Sequence, residues 1–249
     1  MADYNVKEKV TVNGRTFFVM RVKAEDIELV NFGYHGSRDV KTLTEAGIIG
    51  MNGCFFGNTS SNQTTLNNIV YQSGKPLGSH TDDTDAKRNQ TGKAVIYWTG
   101  TALKYAENIS TSSDLSIPTA KNSWVQGGIG LYFGKTNWKT LMKNSMPAAD
   151  WNDLSGTEYR TAMVAKTAAK DVYLFACPKT KVSFDDLRKD ILKYFGVTET
   201  TASAYKGIAL DGGISTQIRG YDKLGVNNIE KPLIGRAVPQ VIKNTYLSK

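Results

Sequence analysis

Three segments of the 249-residue sequence share one design, in which an apolar stretch runs into polar residues and glycine. They are Met51-Asn52-Gly53-Cys54-Phe55-Phe56, Trp124-Val125-Gln126-Gly127-Gly128-Ile129-Gly130 and Leu210-Asp211-Gly212-Gly213-Ile214-Ser215-Thr216. Glycine at the end of a strand lets a ligand approach the backbone, and consecutive N–H groups in such turns form concave anion sites. The same pattern also serves as a plain turn. Asp211 is the most informative single residue. It follows Gly207-Ile208-Ala209-Leu210 and precedes two glycines, which sets it at the mouth of a core strand. A carboxylate there can be a general acid, a general base, a nucleophile or a metal ligand. Alternatively it caps the N–H groups of Gly213 and Ile214 as an Asx-turn. Arg160 opens the otherwise uncharged run Thr161-Ala162-Met163-Val164-Ala165, and Arg236 precedes Ala237-Val238-Pro239. Their planar guanidinium groups suit bidentate phosphate binding, or else a structural ion pair.

The remaining chemistry-bearing residues are sparse. His35 and His80 are the only histidines, so no His-rich metal site forms unaided and no Ser-His-Asp spacing stands out. His80 lies in a polar stretch, as a solvated residue or a mobile ligand-facing group. Asp82, Asp83 and Asp85 lack the Gly and distal Glu of a calcium loop. Cys54 and Cys177 have no zinc-ligand spacing, and a single bridge between them stays open.

The elements that must position these residues are mostly strands. Asn13-Gly14 between Val10-Thr11-Val12 and Thr16–Val22 predicts a hairpin within 7–23. Ile27–Phe32 and Ile48–Met51 read as further strands. Ser37 reads as the N-cap of a short helix through Leu43 and Ala46, stopped at Gly47. Residues 57–92 read as a long polar surface loop, a candidate lid. Val95–Trp98 and Ala102–Tyr105 form a hairpin pattern, 137–157 reads as irregular, and Tyr159–Lys166 pairs with Asp171–Cys177. The clearest helix starts at the Ser183 cap, carries Phe184, Leu187, Ile191, Leu192 and Phe195 on one face, and stops at Gly196. The expectation is a single α+β domain over 1–249, a mixed β-sheet core with few helices and motif loops converging on one cleft.

Composition bounds the function. With 40% apolar and 22% charged residues the chain has a globular composition, and its 23 Gly interrupt any heptad run. No apolar stretch approaches the roughly 18 residues of a membrane span. The formal charge of +8 points to an acidic partner. The lysines and arginines are nonetheless scattered, with no basic run and no aromatic-interleaved RNA motif. The start Met1-Ala2-Asp3-Tyr4 shows no basic region followed by an apolar one, which sets a cytoplasmic expectation.

The order of the segments resembles the phosphodiester glycosidase family, whose enzymes include N-acetylglucosamine-1-phosphodiester α-N-acetylglucosaminidase. Asn52-Gly53-Cys54-Phe55-Phe56 resembles its Asn-Gly-Gly-Phe-Phe motif. Gln126-Gly127-Gly128-Ile129-Gly130 with Gly134-Lys135 is similar to its Gly-Gly-Pro segment and following turn. Arg160-Thr161-Ala162 looks like Pro-Arg-Thr-Ala, and Leu210–Thr216 like Leu-Asp-Gly-Gly-Gly-Ser-Thr. Asn228 and Arg236-Ala237-Val238-Pro239 resemble the closing segments. The likeness spans about 25–243. Cys54, Ile129, Tyr159 and Ile214 depart from the family pattern, and Ile214 beside Gly213 narrows or redirects the site.

The resemblance implies hydrolysis of a sugar-1-phosphodiester, or a nucleotide-sugar-like substrate, at the anomeric C–O bond. Asp211, Asn52 and Arg160 are the catalytic candidates. Arg236, Gly212, Gly213, Ser215, Thr216, Thr161, Gly127, Gly128 and Asn228 are candidates for substrate and phosphate, with His80 and Glu158 as further candidates. No cofactor is required by the sequence, and a divalent metal at Asp211 stays open. The expected partner is a small sugar phosphodiester or nucleotide-like ligand, with no nucleic acid and no membrane; oligomeric state is not legible. A non-catalytic protein that sequesters such a ligand is the alternative, and a nucleic-acid-binding protein a further one.

Overall fold

The computed structural model describes residues 3–32, 40–58, 64–66, 68–77, 93–109, 112–145 and 156–248. Two antiparallel sheets face each other, and a helix covers the outer side of the larger one. The larger sheet runs in the order Lys7–Val12, Arg15–Lys23, Asp171–Val182, Glu158–Lys166, Tyr205–Leu210, Trp124–Gly130, Val70–Gln72 and Lys75–Pro76. Lys93–Trp98 also pairs with Trp124–Gly130, and Leu103–Ile109 follows it. The smaller sheet runs Asn227–Glu230, Ile218–Tyr221, Gly50–Asn52, Gln240–Asn244 and Ile27–Asn31. Every ladder among the described strands is antiparallel, where a mixed sheet was expected. The α+β class holds.

The period-two alternation of strands explains both faces of the central sheet. Met20, Met163, Leu174 and Ile208 point inward and meet Met51, Ile218 and Ile242 of the smaller sheet. Their neighbours Val19, Val164, Tyr173 and Phe175 point outward and meet Leu187, Ile191 and Leu192 of the helix Phe184–Phe195. Burying each such side chain contributes roughly 1.5–3 kcal/mol. Because both faces are covered, these strands read as continuous apolar runs.

The local signals act as expected. Asn13 (φ 49°) and Gly14 (φ 77°) make the hairpin turn, whose two positive φ values match the strand twist. The Ser183 hydroxyl accepts the Asp186 N–H at 3.1 Å, and Gly196 (φ 68°) ends the helix. Three expectations change. Lys41 bridges to Val238 and residues 43–47 form turns rather than the end of a helix, although Gly47 does adopt a positive φ of 65°. The stretch 137–157 contains a helix, Trp138–Asn144, whose Met142 packs into the outer core. The expected loop 57–92 carries strands at Thr64–Leu66, paired with Phe56–Asn58, at Val70–Gln72, paired with Trp124–Gly130, and at Lys75–Pro76, paired with Val70–Gln72. His35, Ser37, His80 and the acidic residues 82–85 lie outside the described residues. No disulfide joins the cysteines: Cys54 packs between the sheets and Cys177 under the helix.

Candidate functional site

The site sits where a strand of each sheet ends. Tyr205–Leu210 delivers Asp211 and Gly50–Asn52 delivers Gly53. The Asp211 N–H donates to the Gly53 carbonyl at 3.1 Å and stitches the two ends together. The Asp211 carbonyl accepts from Thr161 Oγ1 at 2.6 Å and from Asn52 Nδ2 at 2.8 Å. Asn52 Oδ1 accepts the Gln217 N–H at 3.0 Å. Both ends of the buried Asn52 amide are thus engaged by neighbouring backbone. A partner-rich network of this kind fixes a backbone in one place.

The Asp211 carboxyl itself points to Arg236, with Oδ2 3.5 Å from Nη2. Arg236 Nε donates to Ser215 Oγ at 2.6 Å, and its guanidinium lies 4.4 Å from the Phe56 ring centroid. The Arg236 N–H donates to the Ile214 carbonyl at 2.9 Å. Gln217 accepts the Leu43 N–H with Oε1 and donates to the Arg236 carbonyl through Nε2. Burial raises the Asp211 carboxyl to about 6, against the opposing pull of the Ser215 hydroxyl, the Arg236 charge and the Gly212 N–H. A carboxyl at that value exchanges its proton near neutrality and can serve as acid or base. The Asp211 side chain is 10% exposed and that of Arg236 45% exposed, so the acid is sheltered while the cation faces solvent.

The turn that carries Ser215 needs its glycines. Gly213 has φ 57°, and a Cβ on Gly212 would meet the Tyr159 carbonyl. Thr216 is fully buried beside Ser215, and its hydroxyl has no hydrogen-bond partner among the described residues.

The structure brings Arg236 to the segment that carries Asp211, Gly212, Gly213, Ser215 and Thr216. Asn52 and Thr161 join them, but with their polar atoms on the Asp211 backbone. Arg160 is turned away. Strand alternation puts it on the outer face, where Nε donates to the Val182 carbonyl and Nη2 to that of Gly156. Its guanidinium lies 3.9 Å from the Phe184 ring centroid. Burial lowers its pKa to about 10. Gly127 and Gly128 lie within a strand rather than at its end. Their missing side chains make room for the Ile69 and Ala209 carbonyls, which is a packing requirement. Asn228 sits on the edge strand and binds Lys7 Nζ through its carbonyl at 2.9 Å. Glu158 pairs with Lys181 at 3.3 Å.

Sequence reasoning missed Gln217 and Gln240. Gln240 Oε1 accepts the Cys54 N–H at 2.7 Å, its Nε2 donates to Gln126 Oε1 at 3.0 Å, and its side chain fills the space a Cβ on Gly53 would occupy. Gln240 carries one signal, a polar amide within the apolar run 238–242; Gln217, among Ser215, Thr216 and Arg219, carries none. Among the described residues no three His, Cys, Asp or Glu side chains cluster as metal ligands. Two surface cavities, of about 320 and 390 Å³, lie elsewhere; neither is lined by Asp211 or Arg236.

This geometry can be set beside known structures. The catalytic domain of zebrafish N-acetylglucosamine-1-phosphodiester alpha-N-acetylglucosaminidase, auto-inhibited by its pro-peptide, superposes with a TM-score of 0.62 over 96% of this chain and 81% of that one. The fold is shared. Sequence identity is 16%, so the likeness speaks for architecture alone. A Burkholderia pseudomallei protein superposes at TM-score 0.55 and 10% identity, over 92% of this chain and 73% of that one. A hypothetical protein from Synechocystis does so at 0.50 and 12%, over 95% and 61%. No family model matches the sequence, and no curated protein does.

Proposed function

We propose that the chain is a hydrolase that cleaves the glycosidic C–O bond of a sugar-1-phosphodiester or nucleotide-sugar-like substrate. The observation that carries the reading is the sheltered Asp211 carboxyl, raised to about 6 and set 3.5 Å from the exposed Arg236 guanidinium. The architecture shared with a phosphodiester glycosidase domain supports it. In this reading Arg236, with the Gly212 and Gly213 N–H groups, takes the phosphate oxygens; the Ser215 and Thr216 hydroxyls, both buried, act behind it, Ser215 by holding Arg236 Nε. The C1–O bond breaks through an oxocarbenium-like state. Water supplies hydroxide to C1, and its proton passes through Asp211 to the released phosphate monoester. That monoester is a good leaving group, so charge stabilisation by fixed donors outweighs protonation. Asn52 and Thr161 act on this chemistry by holding the Asp211 backbone. Arg160 acts at one remove, by carrying the chain segment next to Gly212. The partner is a small molecule.

The test is turnover of sugar-1-phosphodiesters by the wild type and by Asp211→Asn. Product release that the variant loses while still binding substrate supports the reading; equal turnover removes Asp211 from the mechanism. One observation favours a second reading, sequestration without turnover. Cys54 and Ile214 stand where the resembled motifs have glycine, and Ile214 reaches solvent at the site. Mass spectrometry separates the two, as stoichiometric capture or as free product.

A further inference from the structure

Exposed apolar side chains lie close to the site along the chain. Ile214 is 44% exposed, Ile234 76% and Leu233 fully exposed. Single exposed apolar residues are ordinary on a protein surface. These three are tied to one place. The Arg236 N–H donates to the Ile214 carbonyl, so the bend that carries Leu233 and Ile234 ends on the turn that carries Ser215. Three residues of chain span at most about 10 Å, which keeps the Leu233 Cα within that distance of the Arg236 Cα. The Phe56 ring lies against the guanidinium and adds a further apolar surface. A cation framed by apolar side chains complements a ligand that is anionic at one end and apolar at the other. A nucleoside calls for hydrogen-bonding side chains; Ile214, Leu233 and Ile234 supply none, and Lys231 beside Gly235 adds a second cation for the anionic end.

We propose that Ile214, Leu233 and Ile234 form the subsite for the phosphate-bearing half of the substrate, and that this half carries an apolar chain. The substrate class is a sugar-1-phosphodiester of a lipophilic alcohol. This rests on the glycosidase reading above and narrows its substrate.

The experiment compares octyl and methyl esters of the same sugar-1-phosphate, with wild type and with the double variant Leu233→Ser/Ile234→Ser. Both positions are exposed, so the variant is expected to fold. The expected result is a kcat/KM about tenfold or more higher for the octyl ester, given how strongly each buried methylene favours binding. In the double variant the octyl-to-methyl ratio falls toward one. A ratio near one in the wild type overturns the proposal. If neither ester is cleaved, the glycosidase reading fails, and calorimetry with octyl phosphate and methyl phosphate decides the subsite. Tighter octyl binding that the double variant loses keeps the apolar subsite; equal affinities overturn it. A dimer, or adsorption to phosphatidylglycerol vesicles, that the double variant abolishes while both esters behave alike also overturns it. Those outcomes assign the three side chains to a second copy or to a bilayer.

Discussion

Two carboxylate–arginine pairs lie on opposite sides of the central sheet, and their burial is reversed. Under the helix, Arg188 is 1% exposed and its partner Glu199 43%. At the site, the acid is the buried member and Arg236 the exposed one. Arg188 is saturated. It donates to the Leu131 and Tyr132 carbonyls, meets Glu199 at 2.8 Å and lies 4.3 Å from the Trp138 ring centroid. Desolvation lowers its pKa, but its many partners leave it one geometry. Asp211 also has the Ser215 hydroxyl and the Gly212 N–H, but its cation, Arg236 at 3.5 Å, is 45% exposed, and its carboxyl is raised to about 6. A closed set of partners makes a structural joint; an open one leaves capacity for a ligand.

The largest expected effect tests the structural side. Arg188→Leu strands the Leu131 carbonyl and removes one of the two donors to the Tyr132 carbonyl, the other being the Lys135 N–H. It is expected to cost about 2–4 kcal/mol in urea unfolding, from one unpaired buried acceptor and the lost charge-assisted hydrogen bonds. A loss below about 1 kcal/mol would break the contrast. Next comes pH. The Asp211 carboxyl moves from its ordinary 3.8 to about 6 on folding. Between those values the native state binds more protons than the unfolded one. Stability from this group is therefore full below about 3.8 and falls as pH rises to about 6, by roughly 3 kcal/mol. Unfolding curves of wild type and Asp211→Asn across that range should converge at the acid end and favour the variant above it. A pH-independent difference would place Asp211 outside the buried, strained role.

The third effect is kinetic. Asp211→Asn is expected to lower kcat by about 100-fold or more and to remove a break in the pH–rate profile near 6. The smallest effect concerns Gln217, which ties Leu43 to the Arg236 carbonyl. Gln217→Leu is expected to cost about 1–3 kcal/mol by leaving buried groups unpaired. Because it frees the Arg236 backbone, the proposed role of Arg236 predicts that KM rises more than kcat falls; an unchanged KM would separate Gln217 from the site.

Much of the fold was legible because its cues are local. The Asn13-Gly14 hairpin, the Ser183 cap and the Gly196 stop depend on nearest neighbours and came out as read. Residues 40–47 and Trp138–Asn144 did not, since tertiary packing overrides weak propensity in short segments. Val70–Gln72 could not be read as a strand because a three-residue run gains its hydrogen bonds from Trp124–Gly130, far along the chain.

At the site, the sequence by itself determined the chemistry on offer: Asp211 at a strand mouth, the paired glycines after it, and Arg236 among apolar residues. Only the tertiary structure decided which arginine meets the carboxylate. Arg160 and Arg236 look alike in sequence. Alternation along Glu158–Lys166 turns Arg160 toward Phe184, while the Ile214 carbonyl and Ser215 hydroxyl draw Arg236 to Asp211. The sequence alone likewise did not determine that Asn52 and Thr161 would be spent on the Asp211 backbone. That outcome follows from two sheets meeting at their strand ends, where buried polar groups must find partners across the seam.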